Sequence, residues 1–152
     1  MPAKLFNNRW EREPDDFAAT LSERDLAGFT NKNLTIEEGT TGLLLVQGRF
    51  DRTLGPGQHT LEGGLGAIFV GRERKIVVLV TLSEVMLHIT LPRLLTRDPV
   101  PFGVQTAVTL RFTPGREAIF LSNFMSGKDA LNTSDLRNLV YPEINEAAQD
   151  WA

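Results

Sequence analysis

The plainest pattern in the chain is an alternation of apolar and polar positions between Val100 and Phe112. Val100, Phe102, Val104, Thr106, Val108, Leu110 and Phe112 fall on one side of an extended chain. Pro101, Gly103, Gln105, Ala107, Thr109 and Arg111 fall on the other. A period of two predicts a strand with one face buried. Val85, Leu87, Ile89 and Leu91 repeat the pattern, alternating with Met86, His88 and Thr90. Between the two, Leu91-Pro92-Arg93-Leu94-Leu95-Thr96-Arg97-Asp98-Pro99-Val100-Pro101 reads as a proline-rich corner. Gly42 to Gln47 differs, being continuously apolar, which predicts burial on both faces. Ile76 to Leu82 is a second such run, rich in β-branched residues.

Shorter strands are expected at Leu34–Ile36 and over residues 67–70. Turns are expected at Glu37-Glu38-Gly39, Gly48–Arg52, Glu62–Gly66 and Gly71–Lys75. Pro56-Gly57 fits a type II turn, because proline presets φ at the second position and glycine supplies positive φ at the third. No period of 20 to 50 residues repeats, which argues against a solenoid or propeller.

The helical period governs the two ends. Asp15 to about Ala27 predicts a short helix, with Asp15 and Asp16 at its N-terminal end, Phe17, Leu21 and Leu26 on its apolar side, and Gly28 near its stop. Thr113-Pro114 reads as a helix start, with Ala118, Phe120, Leu121, Phe124 and Met125 inward and Gly127 past the end. A last helix starts at Thr133-Ser134-Asp135. Its stripe runs through Leu136, Leu139, Val140, Ile144, Ala147, Ala148 and Trp151, and Pro142 is expected to kink or split it. The expected fold is α+β: a twisted, mostly antiparallel sheet of about six strands with packed helices and a C-terminal helix. Its expected divisions are an N-terminal arm with a short helix over 1–33, the α+β domain over 34–127, and a helical segment over 128–152 that starts a longer helix or docks as a terminus.

Composition narrows the function classes. A chain of 152 residues suits one domain with a real core. The net charge of −3 offers no basic field for nucleic acid, so no nucleic-acid partner is expected. The absence of cysteine removes disulfides, thiolate metal sites and thiol catalysis. The first residues hold no apolar stretch of signal-peptide type, and Ile76–Val80 falls far short of the roughly 20 residues that span a bilayer. The expected location is cytoplasmic, including the periphery of a membrane.

Candidate chemistry is sparse. His59 and His88 stand apart with no ligand spacing, and no serine lies in a nucleophile-elbow context. Gly63-Gly64-Leu65-Gly66 lacks the helix and the lysine of a phosphate loop. Glu37-Glu38 is better read as a solvated turn than as an acid–base pair. Arg72-Glu73-Arg74-Lys75, with Arg93 and Arg97, is the sharpest positive cluster and reads as a guarded hairpin tip rather than a lipid patch. No catalytic residue, cofactor site or metal site is therefore expected. The stripe of Leu136, Val140, Ile144 and Trp151 is the candidate self-association face.

Two segments resemble the SPFH or band 7 superfamily of stomatins, prohibitins and flotillins. Ile36-Glu37-Glu38-Gly39-Thr40-Thr41-Gly42 through Arg49, followed by Leu54-Gly55-Pro56-Gly57-Gln58-His59-Thr60-Leu61, is similar to the family's opening strand and its proline-glycine turn. Leu95-Thr96-Arg97-Asp98-Pro99-Val100 and the strand to Phe112 resemble the family's later corner. The resemblance spans roughly residues 34 to 152. It implies a non-enzymatic scaffold that self-assembles and organises membrane-associated or soluble assemblies, with a homo-oligomer and a peripheral-membrane or membrane-protein partner expected. Family members normally carry an N-terminal anchor or acylated cysteines, and this sequence shows neither. The alternative function is a small peptide- or ligand-binding module using an exposed sheet edge.

Overall fold

The computed structural model describes residues 3–26, 31–63, 74–98 and 100–151. The continuously apolar segments become the middle of the molecule. In chain order, the strands are β1 (Leu5–Phe6), β2 (Arg9–Trp10), β3 (Asp16–Ser22), β4 (Asn31–Ile36), β5 (Thr40–Val46), β6 (Arg49–Leu54) and β7 (Gly57–Gly63). They continue with β8 (Lys75–Thr81), β9 (Val85–Leu95), β10 (Pro101–Leu110) and β11 (Ala130–Asn132). Two α-helices, α1 (Glu117–Asn123) and α2 (Thr133–Trp151), complete the described residues.

A five-stranded antiparallel sheet in the order β11-β3-β8-β5-β6 lies between two hydrophobic cores. Strand β8 divides its side chains strictly, with Val78 and Val80 in one core and Val77 and Leu79 in the other. Leu43 and Leu44 of β5 divide in the same way. A strand covered on both faces has no polar face to show, so it reads as an unbroken apolar run. Gly42 makes this packing close: a Cβ there would lie 2.8 Å from Ile36 Cδ1 and 3.2 Å from Val77 Cγ1.

The first core is closed by the β9–β10 hairpin and both helices, with Leu87, Ile89, Leu91 and Leu94 buried against Phe112, Phe120, Met125, Leu131 and Leu136. The Phe120 ring meets Phe112 edge-on at 5.2 Å and stacks on Phe124 at 5.7 Å. The second core is closed by a sheet in the order β1-β2-β4-β7, which contributes Leu34, Ile36 and Leu61. Its β2–β4 contact is parallel, whereas the other pairings described are antiparallel. The α+β class, the antiparallel pairing and the C-terminal helix stand as expected.

Several local expectations are corrected. Residues Asp16–Ser22 form β3, not a helix; only Glu23–Asp25 coil into a single 3₁₀ turn. Phe17, Ala18, Ala19 and Leu21 are all buried, and burial among two neighbouring strands overrides the helical spacing of Phe17 and Leu21. The expected stop at Gly28 lies outside the described residues. The N-terminal arm is docked. Asn7 and Asn8, both with positive φ, turn β1 into β2, and the Ala3 N–H donates to the Thr20 carbonyl at 2.8 Å.

Gly48–Arg52 is not a broad turn. Gln47 (φ 51°) and Gly48 (φ 79°) make a two-residue hairpin, and Arg49 already pairs with Val46. The short strand expected over residues 67–70 and the start of the charged turn after it lie outside the described residues. Strands are more numerous than the about six expected, and they are spread over three sheets because the short flanking segments also pair. Gly57 has the positive φ that the Pro56-Gly57 turn asks for.

The proline-rich corner is mostly strand. Strand β9 runs through Pro92 to Leu95, and the register with β10 shifts between Phe102 and Val104. Leu91 faces Val104 and Leu94 faces Phe102, so Pro92 and Arg93 share Gly103 as their opposite residue. This bulge lets Leu91 and Leu94 both point inward and puts the proline, which has no N–H, where the ladder is already interrupted.

Helix α1 begins at Glu117, three residues after Pro114, because Thr113–Arg116 closes a turn first. Helix α2 is continuous through Pro142 rather than split. It opens on a reciprocal cap: Asp135 N–H donates to Asn132 Oδ1 at 2.8 Å, and Asn132 N–H donates to Asp135 Oδ2 at 3.0 Å.

Candidate functional site

The candidate self-association face does not survive as one surface. Leu136 is buried in the first core, and Val140 and Ile144 are half-buried against it. These three belong to the packing of the chain on itself. Trp151 is different, being 91% exposed. The stripe is periodic in both cases, and periodicity cannot tell a face that meets its own sheet from one that meets a partner.

The end of α2 is nonetheless fixed in place. The Gln149 side-chain amide grips the backbone of Leu95: Nε2 donates to the Leu95 carbonyl at 2.8 Å, and Oε1 accepts from the Leu95 N–H at 3.4 Å. Leu95 pairs on its other side with Pro101, which has no N–H to offer. The amide thus satisfies strand groups that the hairpin leaves open. Leu95, Val100 and Trp151 are all exposed apolar residues at this end of the molecule. Spacing did not single out Leu95, Val100 or Gln149 as part of a surface, since only the fold brings residues 95–100 and 149–151 together.

Within the connecting turn, Thr96 Oγ1 donates to the Asp98 carbonyl and accepts from the Val100 N–H at 3.3 Å. The backbone geometry of Thr96–Val100 is thus set by a threonine side chain. Arg97 and Asp98 lie within this turn, the Asp98 carbonyl accepting from Thr96.

The second feature is the outer edge of β10. Its inner residues Phe102, Val104, Thr106, Val108 and Leu110 are only half-buried, whereas the matching residues Leu87, Ile89 and Leu91 of β9 are fully buried. The cover provided by the helices therefore ends at β10. Among the described residues no strand pairs with its outer side.

The third feature is a cleft of ≈ 170 Å³ at the rim between the two larger sheets, lined in part by Trp10, Arg12, Glu37, Glu38, Thr81 and Ser83. Its charges are used locally. Arg9 pairs with Glu37 at 3.3 Å, and Arg12 donates to the Asp16 carbonyl at 3.0 Å. Thr81 Oγ1 accepts from the Ser83 N–H at 3.2 Å. The Glu37-Glu38 pair sits in the β4–β5 turn, as expected.

The histidines are separated. His59 Nε2, on β7, bonds the Gly55 carbonyl of the preceding turn at 2.7 Å, and His88 lies on the outer face of β9 opposite Ala107. No cluster of His, Cys, Asp and Glu among the described residues could hold a metal ion. Of the basic cluster, Arg72 and Glu73 lie outside the described residues. Lys75 Nζ donates to the Leu61 carbonyl at 3.1 Å, and the Arg74 carbonyl accepts from Gln47 N–H at 2.9 Å. No helix of the described residues is long and apolar enough to cross a membrane.

Comparison with protein-family models, with curated proteins and with solved structures finds no match for the chain.

Proposed function

We propose that the chain is a non-enzymatic, oligomerising scaffold domain of SPFH or band 7 type, organising protein assemblies in solution or at a membrane surface. The observation that carries this reading is that Leu95 and Val100, flanking the β9–β10 turn, and Trp151, near the end of α2, are large apolar residues left exposed. The Gln149 amide ties the helix to the hairpin there, so a partner meets two segments whose backbones are already held together. Large apolar side chains left in solvent favour contact with another protein. The SPFH-like segments support the same reading from the sequence, because both fall on elements that shape the fold: the β4–β7 region and the β9–β10 hairpin.

Multi-angle light scattering across a range of concentrations tests it. The expected result is a mass that rises to a defined multiple of 16.9 kDa. A strict monomer at every concentration overturns the reading. A flotation experiment with liposomes then separates assembly at a membrane from assembly in solution.

The second reading, a module that captures an extended segment on a sheet edge, draws on the open side of β10. Strand addition needs an unpaired edge and side-chain positions that alternate between pockets and solvent. Among the described residues, strand β10 offers an unpaired edge and an alternation of half-buried and exposed positions.

A further inference from the structure

The edges of the three sheets are not alike. Strand β6, at one edge of the middle sheet, carries Arg49, Asp51 and Arg52, all exposed. Strand β11, at the other, is three residues long. In the sheet that closes the second core, β1 has two residues and the Leu61 carbonyl of β7 is taken by the Lys75 ammonium. Strand β9 carries Pro92 and Arg93 and is bound at its Leu95 end by the Gln149 amide. Each of these edges is short, charged or covered, which are the ordinary ways of preventing edge-to-edge pairing. Among the described residues, strand β10 shows none of them along most of its length. Its ten residues, Pro-Phe-Gly-Val-Gln-Thr-Ala-Val-Thr-Leu, contain no charged side chain. Pro101 and the bulge at Gly103 interrupt only its first part. From Val104 to Leu110 the register with β9 is regular.

We infer that β10 is a self-pairing edge: the β10 strands of two copies of this chain join antiparallel about a two-fold axis, making a continuous β9-β10-β10-β9 sheet. This inference rests on the scaffold reading and names its partner as a second copy. Three observations favour a copy over an unrelated strand. A two-fold contact sets each residue against another of the same strand, and because β10 holds no charged residue no like-charge pair arises within the joint. The regular stretch Val104–Leu110 is centred on Ala107, the smallest side chain on its outer face, where the axis would bring two identical residues together. Gln105 would then face Thr109, and polar would meet polar. On the inner face, Val104, Thr106, Val108 and Leu110 are half-buried in one copy. Their counterparts from the second copy would extend the same apolar layer over them.

The test is a charge swap at the axis. Ala107 is exposed, so Ala107→Lys and Ala107→Glu should leave the monomer folded, as checked by circular dichroism and thermal melting. Each variant alone should associate more weakly than the natural chain by about tenfold or more, because like charges meet at the axis. An equimolar mixture should recover association, because lysine then meets glutamate. Hydrogen exchange on the unaltered chain gives an independent reading, with β10 amides slowing as concentration rises. Association unchanged in both variants overturns the inference and leaves the scaffold reading in place. Association lost in both with no recovery on mixing also overturns it, since self-pairing about Ala107 requires the rescue. A natural chain that stays monomeric overturns both.

Discussion

Strands β5 and β8 and the β9–β10 hairpin are both rich in apolar residues, yet they do opposite things. The middle strands bury both faces, and Val77 to Val80 of β8 are all at most 3% exposed. Their backbones pair on both sides, so nothing is left for a partner. In the hairpin, β9 buries one face from Leu87 onward, whereas β10 only half-buries the matching face. Apolar content alone therefore says little about where a protein meets its neighbours. What matters is whether coverage and pairing run to completion. They do at β5 and β8, and among the described residues they stop at β10.

The largest expected difference lies in truncation of matched core positions. Leu79→Ala should cost about 2–5 kcal/mol, because the second core and the neighbouring strands enclose the void on every side. In a chain of this size that lowers the melting temperature by roughly 4–20 °C. Val108→Ala on β10 should cost less than about 1.5 kcal/mol, since solvent already reaches the side chain. Equal losses in chemical denaturation would break the comparison. Overpacking probes the middle sheet from the other side. Gly42→Val would press side-chain atoms against Ile36, Val77 and the Leu54 Cβ at 3.3 Å, and should cost about 1–3 kcal/mol.

The same contrast explains how much of the molecule was legible in the sequence. Alternation at Val85–Leu91 and Val100–Leu110 marked the hairpin correctly, because one-sided burial writes a period of two into the residues. The uninterrupted run in β5 marked two-sided burial equally well. Strand β3 escaped, since Phe17 and Leu21 match a helical spacing and Ala18 and Ala19 are good helix formers. Its state is decided by β8 and β11, far away in sequence. Pro92 misled for a related reason: a bulge that accommodates a proline depends on Gly103 of the facing strand. The site was less legible than the fold. The stripe at Leu136, Val140 and Ile144 turned out to serve the chain's own core. The Gln149–Leu95 contact joins residues 54 positions apart, and no local pattern could announce it.

Smaller changes separate the closing elements from the middle sheet. Asn132→Ala removes the oxygen that caps Asp135 N–H and should cost about 1 kcal/mol. Asp135→Asn retains an acceptor for Asn132 N–H, so it should cost less than the alanine change, and thermal melts of the two variants check the order. Gln149→Ala should cost about 0.5–1.5 kcal/mol, as both of its bonds are exposed. Its effect should be local, with faster exchange of the Leu95 amide while the β8 amides are unchanged. Faster exchange throughout the middle sheet would mean that the two regions open as one unit.

The smallest effect is a pH dependence confined to the first turn of α1. Glu117 Oε1 accepts the Gly115 N–H at 2.9 Å and the Thr53 hydroxyl at 3.4 Å, linking the helix start to β6. The backbone N–H of Gly115 chiefly, with that of Glu117 itself, holds the carboxyl below its ordinary range, and Thr53 adds to this while desolvation opposes it. A lowered folded-state value means that the ionised form is favoured by folding. Its contribution is therefore present above the unfolded-state value and is lost as pH falls through the folded-state value. The stability gap between the natural chain and Glu117→Gln should accordingly be constant near neutral pH and shrink from about pH 5 downward. Because the group is close to solvent, the gap should stay below about 1 kcal/mol. Urea unfolding of both chains at several pH values measures it, and a gap that widened on acidification would contradict the direction assigned to Glu117.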